Sequence, residues 1–189
     1  MKEEEIRPHY LFKKYLELSS KDAKNFFQGT DRQNLNCPAC DSGQVKFEFI
    51  KFGFEYASCV NCHSLYQTPR PPIEKFEDFY KHSLSSEYWA KTFFPKVAES
   101  RRNSIFKPRV KRLMNFCKEK SFSPSTVVDV GAGYGIFLEE WEKVNPVARC
   151  VAIEPSQNLA EICQTKGLEV INQMAEDVIN MDAIADLVV

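Results

Sequence analysis

The run Val127-Val128-Asp129-Val130-Gly131-Ala132-Gly133-Tyr134-Gly135 constrains the fold of this 189-residue chain more than any other stretch. Val127, Val128 and Val130 form the β-branched apolar run that a strand covered on both faces needs. Glycines at three alternate positions then let the backbone turn sharply and approach another group with no Cβ in the way. The next segment, 136–144, has helical apolar spacing, and the first N–H groups of such a helix point back at the turn. The alternation continues: strands are expected at 126–130, 149–153, 168–171 and 186–189, and helices at 135–144, 157–166 and 174–180. That order predicts an α/β fold, a Rossmann-like parallel sheet of about four strands with right-handed crossovers.

The spacing bears on which ligand the turn takes. A dinucleotide fingerprint is G-x-G-x-x-G, and its third glycine would fall at Ile136. This chain reads D-x-G-x-G-x-G instead, with Asp129 two residues ahead of the first glycine. A second acid, Glu154, follows the apolar run Val151-Ala152-Ile153 and is followed by Pro155. A carboxylate at the tip of a second strand can accept both hydroxyls of a ribose. An NAD-dependent enzyme is therefore disfavoured.

Seven cysteines fall into two groups. Cys37, Cys40, Cys59 and Cys62 make C-x2-C-x18-C-x2-C, two close pairs a hairpin apart. Four thiolates in that pattern give the closed tetrahedral site of structural zinc, although iron is not excluded by spacing. Between the pairs, 45–51 and 54–58 alternate around Gly53 and read as a β-hairpin. Cys59-Val60-Asn61-Cys62-His63 also fits the haem-attachment pattern, but that leaves Cys37 and Cys40 unexplained. His63 is expected in the left-handed position that glycine often takes after the second cysteine, not as a ligand. Cys117, Cys150 and Cys163 sit among apolar neighbours and read as core thiols.

Net charge is −1, yet only three of the 25 Lys and Arg (Lys143, Arg149 and Lys166) follow residue 125, against eleven of the 26 acids. The first two-thirds thus carry +7 and the rest −8. The densest basic stretch is 91–120, with Arg101, Arg102, Lys107, Arg109, Lys111 and Arg112 at its centre. It reads as a solvated helix face, with a phosphate or RNA patch as the alternative. No stretch has the apolar length of a membrane span. Met1-Lys2-Glu3-Glu4-Glu5 is no secretory leader, so a cytoplasmic setting with reduced thiols is expected.

Four segments follow: a helical N-terminus (1–34), a zinc ribbon (35–68), a helical linker region (69–124) and the incomplete parallel-sheet domain (125–189). Pro8 starts one short helix, through Leu18, and Ser20 caps a second, ended by Gly29. A helix is expected over 73–80, and the basic helical region is interrupted at Pro108.

The glycine turn with Asp129 and Glu154 resembles class I S-adenosylmethionine-dependent methyltransferases. Cys37-Pro38-Ala39-Cys40, Phe54-Glu55-Tyr56, Cys59 to Cys62, Leu65-Tyr66, Pro69-Arg70-Pro71, Tyr88-Trp89, Phe93-Phe94-Pro95 and Arg101-Arg102 extend the likeness to bacterial members with an N-terminal zinc ribbon. The resemblance implies that Asp129, Gly131, Ala132, Gly133 and Tyr134 line the methionine part of the cofactor. It places the ribose on Glu154 and Pro155, and the adenine beside Ala175 and Glu176, with Met174 where an aspartate is common. It implies a small acceptor such as a sugar or nucleotide-sugar, and names no catalytic base. The rival reading is a zinc-ribbon protein that binds or methylates RNA with an incomplete catalytic half. The family's sheet has seven strands and this chain reaches the fourth, so an open apolar edge at Leu187, Val188 and Val189, and self-association through it, is expected.

Overall fold

The computed structural model describes residues 2–178 and 185–189. In chain order the elements are α1 (Glu3–Ile6), α2 (His9–Phe27), β1 (Val45–Lys51), β2 (Phe54–Cys59), β3 (Leu65–Gln67), α3 (Ile73–His82) and α4 (Leu84–Tyr88). Then come α5 (Phe94–Arg101), α6 (Lys107–Glu119), β4 (Thr126–Val130), α7 (Ile136–Val144), β5 (Arg149–Ile153), α8 (Gln157–Thr165), β6 (Glu169–Ile171) and β7 (Leu187–Val188). They form two compact units, residues 16–85 and residues 1–15 with 86–189. These cut across the four segments read from sequence, because 69–85 packs with the first unit and 86–124 with the second.

In the unit 16–85, β1, β2 and β3 form an antiparallel meander rather than a lone hairpin. Phe52 and Gly53 both take positive φ between Lys51 and Phe54, as a two-residue hairpin turn that follows the strand twist demands. Every residue of β1 is exposed, Phe47 at 57% and Ile50 at 63%. The apolar centre lies elsewhere: buried Phe27 packs its ring 5.1 Å from Phe54, 4.9 Å from Phe76 and 5.6 Å from Phe79. Buried Asp22 accepts the Ser85 N–H at 2.7 Å.

α2 is one helix where two were expected. Ser19 and Ser20 lack any breaker beside them, and the ridge Leu11, Tyr15, Ser19, Ala23, Phe27 runs on at four-residue spacing. Burying that stripe outweighs the weak helix propensity of two serines.

In the second unit the parallel strands lie in the order β6-β5-β4-β7, with Val128 opposite Val151 and Ala152 opposite Val170. Period-two alternation splits the side chains. Val127, Cys150 and Ala152 join Phe137, Leu138, Trp141 and Cys163 in one core, while Val128, Val151 and Ile153 pack with Ile171 and Val178. Cys117, Cys150 and Cys163 are buried, and burial pushes the Cys150 and Cys163 thiols up to about 11. β7 ends the sheet among the described residues, with Val188 exposed and Leu187 half-buried.

Two further expectations change. Pro108 does not interrupt the basic region. A π-helical turn, Arg102–Phe106, precedes it, just as Trp89–Phe93 precedes Pro95. In each case the residue just before the proline donates to the carbonyl five residues back, Lys107 to Arg102 and Phe94 to Trp89, so the helix widens at the proline and continues past it. The helix expected over 174–180 is a single 3-10 turn, Ala175–Asp177. Val178 is extended and packs on the Val128–Val151 face, which ends the turn; 179 and 180 lie outside the described residues.

Candidate cofactor and metal sites

β4 delivers the chain into a loop in which Gly131, Gly133 and Gly135 all take positive φ. The glycines serve different ends. A Cβ on Gly135 would lie 2.7 Å from Leu168 Cδ1 and 3.0 Å from Cys163 Sγ, so that glycine lets the loop pack down on the core. A Cβ on Gly131 would meet nothing within 4 Å, and one on Gly133 only the Gly131 carbonyl at 3.8 Å, so this part is an open cradle.

The amides of the cradle are already engaged. Gly131 and Ala132 both donate to the Ile153 carbonyl, at 2.8 and 3.2 Å, and Gly133 donates to Glu154 Oε2 at 2.8 Å. Glu154 Oε1 accepts the Ser156 N–H at 2.9 Å across Pro155, which has no N–H of its own. Glu154 is 6% exposed. Burial pushes its carboxyl up against the pull of these two bonds. A carboxylate has about four lone-pair sites, so two remain.

Asp129 is half-buried nearby. Burial lifts it to about 7, Arg109 pulling down and Glu154 pushing up. Tyr134 stacks on Phe94, ring centres 4.6 Å apart, while Lys166 Nζ lies 4.6 Å from its ring and donates to its carbonyl at 2.6 Å.

The structure thus brings Asp129, Gly131, Ala132, Gly133, Tyr134, Glu154 and Pro155 to one loop mouth. Ala175 and Glu176 are exposed on their 3-10 turn, and Glu176 has no hydrogen bond to the loop. Sequence reading missed Arg109, Ser156, Lys166 and Asn172, whose Nδ2 donates to the Glu154 carbonyl at 2.7 Å. For Asn172 a signal existed: a polar side chain directly after an apolar strand.

At the other site, the Sγ atoms of Cys37, Cys40, Cys59 and Cys62 all lie within 4.8 Å of one another. Cys37 and Cys62 are 3.5 Å apart, and Cys40 and Cys59 3.6 Å. A tetrahedral ion at about 2.3 Å from each sulfur requires edges of about 3.8 Å, so the set fits a metal. The two halves repeat: Asp41 donates to the Cys37 carbonyl and His63 to the Cys59 carbonyl, and both Asp41 and His63 take positive φ. His63 therefore fills the left-handed position. Hydrogen bonding with Ser64 pulls the Cys62 thiol down to about 6, while burial pushes Cys37 up to about 11.

Fold and sites together define a partial Rossmann-like sheet in one unit and a four-cysteine, metal-competent cluster in the other. No family model matches the sequence, and no curated protein matches it. Among solved structures the chain is similar to the plantazolicin methyltransferase BpumL in complex with a pentazolic desmethylPZN analog and SAH. The identity is 15% over 60% of this chain and 44% of that one, with a TM-score of 0.42. The same enzyme with SAH alone matches at 17% identity, over 61% and 47% of the two chains, with a TM-score of 0.40. The chain spans less than half the length of these enzymes. Among the described residues no helix is long and apolar enough to cross a membrane.

Proposed function

We propose that the chain is the cofactor-binding part of an S-adenosylmethionine-dependent methyltransferase for a small acceptor, carrying a structural zinc ribbon. The observation that carries this reading is the anionic character of the loop mouth. A pyrophosphate needs free backbone N–H groups and positive charge, but here the amides of Gly131, Ala132 and Gly133 are spent. Asp129 and Glu154 instead present two carboxylates, which suit a cation bearing a ribose.

Glu154 accepts the two ribose hydroxyls through its remaining lone pairs, held in place by Gly133 and Ser156. Gly131 and Gly133 leave room for the amino-acid chain of the donor, and Asp129 offsets its positive charge. Tyr134, fixed on Phe94, borders that chain. When bound, the sulfonium supplies an already activated methyl group, so the protein's task is positioning. Cys37, Cys40, Cys59 and Cys62 hold zinc with no open coordination position, which assigns that ion to stability rather than chemistry.

Calorimetry with S-adenosylmethionine and NAD on one sample tests the reading. The expected result is one-to-one binding of the sulfonium, none of NAD, and at least a tenfold weaker complex for Glu154→Ala. NAD binding without sulfonium binding overturns it.

A further inference from the structure

The flank of α6 that faces α7 carries a groove of about 500 Å³, within the range of small-molecule sites. Val110, Met114 and Val144 supply apolar lining, and Lys107, Lys111 and Lys118 supply charge. The three lysines share one helix ridge at spacings of four and seven. Like charges four residues apart on a helix repel, and nothing in the groove offsets that. Glu140 borders it, but its carboxylate is taken by Arg102 and Lys143. Lys107 Nζ donates to the neutral Asn103 Oδ1 at 2.7 Å. Among the described residues no carboxylate pairs with Lys107, Lys111 or Lys118.

We propose that this groove binds a small organic phosphate, its anionic group on the lysine ridge and its apolar ring or chain on Met114 and Val144. Charge complementarity selects the anion, and the apolar lining selects a body that inorganic phosphate lacks. The site is separate from the loop mouth. The loop meets α7 at Ile136, whereas the groove touches α7 at Glu140 and Val144, roughly 6 and 12 Å further along the axis. The inference therefore stands apart from the cofactor reading.

Adenosine monophosphate, adenosine and inorganic phosphate serve as probes, titrated calorimetrically into the full chain at low salt. The monophosphate is expected to bind one-to-one, at least tenfold more tightly than either adenosine or phosphate. Lys111→Glu with Lys118→Glu weakens it at least tenfold, Lys111→Arg with Lys118→Arg retains it, and Glu154→Ala leaves it unchanged. Unaltered thermal midpoints in the lysine variants show that they fold. Loss of binding in Glu154→Ala but not in the lysine variants places the nucleotide in the loop mouth and overturns the proposal. So does saturable binding of a twelve-nucleotide RNA with no binding of the monophosphate.

Discussion

Asp129 bears the conflict between stability and function most directly. Its carboxyl stands near 7, chiefly because burial strips it of water. A folded-state value above the unfolded one means that the native chain holds the proton more tightly. The contribution to stability is full below the unfolded value near 4 and is lost as pH rises through about 7. Asp129→Asn removes the buried charge, so it raises the thermal midpoint at pH 8, by roughly 1–2 kcal/mol in stability. That advantage disappears near pH 4. On the proposed function binding moves the other way: the wild-type affinity for S-adenosylmethionine is expected to fall as pH drops below 7, and the Asn variant to bind weakly throughout. Melting curves at pH 4, 6 and 8, with titrations at 6 and 8, check both arms. An Asn variant no more stable than wild type at pH 8 contradicts the electrostatic account.

At the scale of elements, the glycine loop has little side-chain matter of its own, so neighbouring helices hold it. Lys166, just past α8, binds the Tyr134 carbonyl and also Glu139 Oε2 at 3.0 Å. Arg102 reaches Glu139 at 2.8 Å and Glu140 at 2.5 Å from the π-helical turn before Pro108. Burial pushes the Glu139 carboxyl up, yet bonds from Arg102 and Lys166 hold it below the usual range. Lys166→Met leaves Glu139 paired with Arg102, so the variant folds. Its amides at 133–135 exchange faster with solvent, and the S-adenosylmethionine complex weakens about tenfold, roughly 1.4 kcal/mol. Hydrogen exchange of the ligand-free chain reads the first effect independently of any cofactor. This network also marks where the sequence stopped being legible. The valine run, the glycine spacing and the acid after β5 are local patterns, and from them the loop, the parallel sheet and the place of Glu154 at the end of β5 were legible. Arg102 and Lys166 lie about thirty residues to either side of the loop, and only tertiary packing brings Lys166 to it and Arg102 to Glu139 and Glu140 of α7. Ser20 looked like a cap because a single sequence does not reveal that its helix buries a continuous stripe. Val178 ended an expected helix for the same reason, being drawn in to cover the sheet.

At the scale of the molecule, the two units have different sources of stability. The sheet unit has a layered core in which Val127, Phe137, Leu138 and Trp141 are almost wholly buried. In the unit 16–85 the whole of β1 is exposed, and the buried apolar side chains are few beyond Phe27, Ala23, Ala57, Cys37 and Cys59. Small lobes with few buried apolar side chains commonly take stability from a bound metal, and the four-cysteine cluster of this unit fits one. On the zinc reading proposed above, an ion held by four thiolates adds stability as long as the ligands stay deprotonated and the ion is not withdrawn. A strong chelator is therefore expected to abolish protection from hydrogen exchange across β1 to β3 while β4, β5 and α7 keep theirs. Cys59→Ser has the same pattern without chelator. Calorimetric scans then show one transition weakened or lost and the other in place. If chelation leaves β1 to β3 protected, apolar contacts stabilise this unit and the proposed metal contributes little.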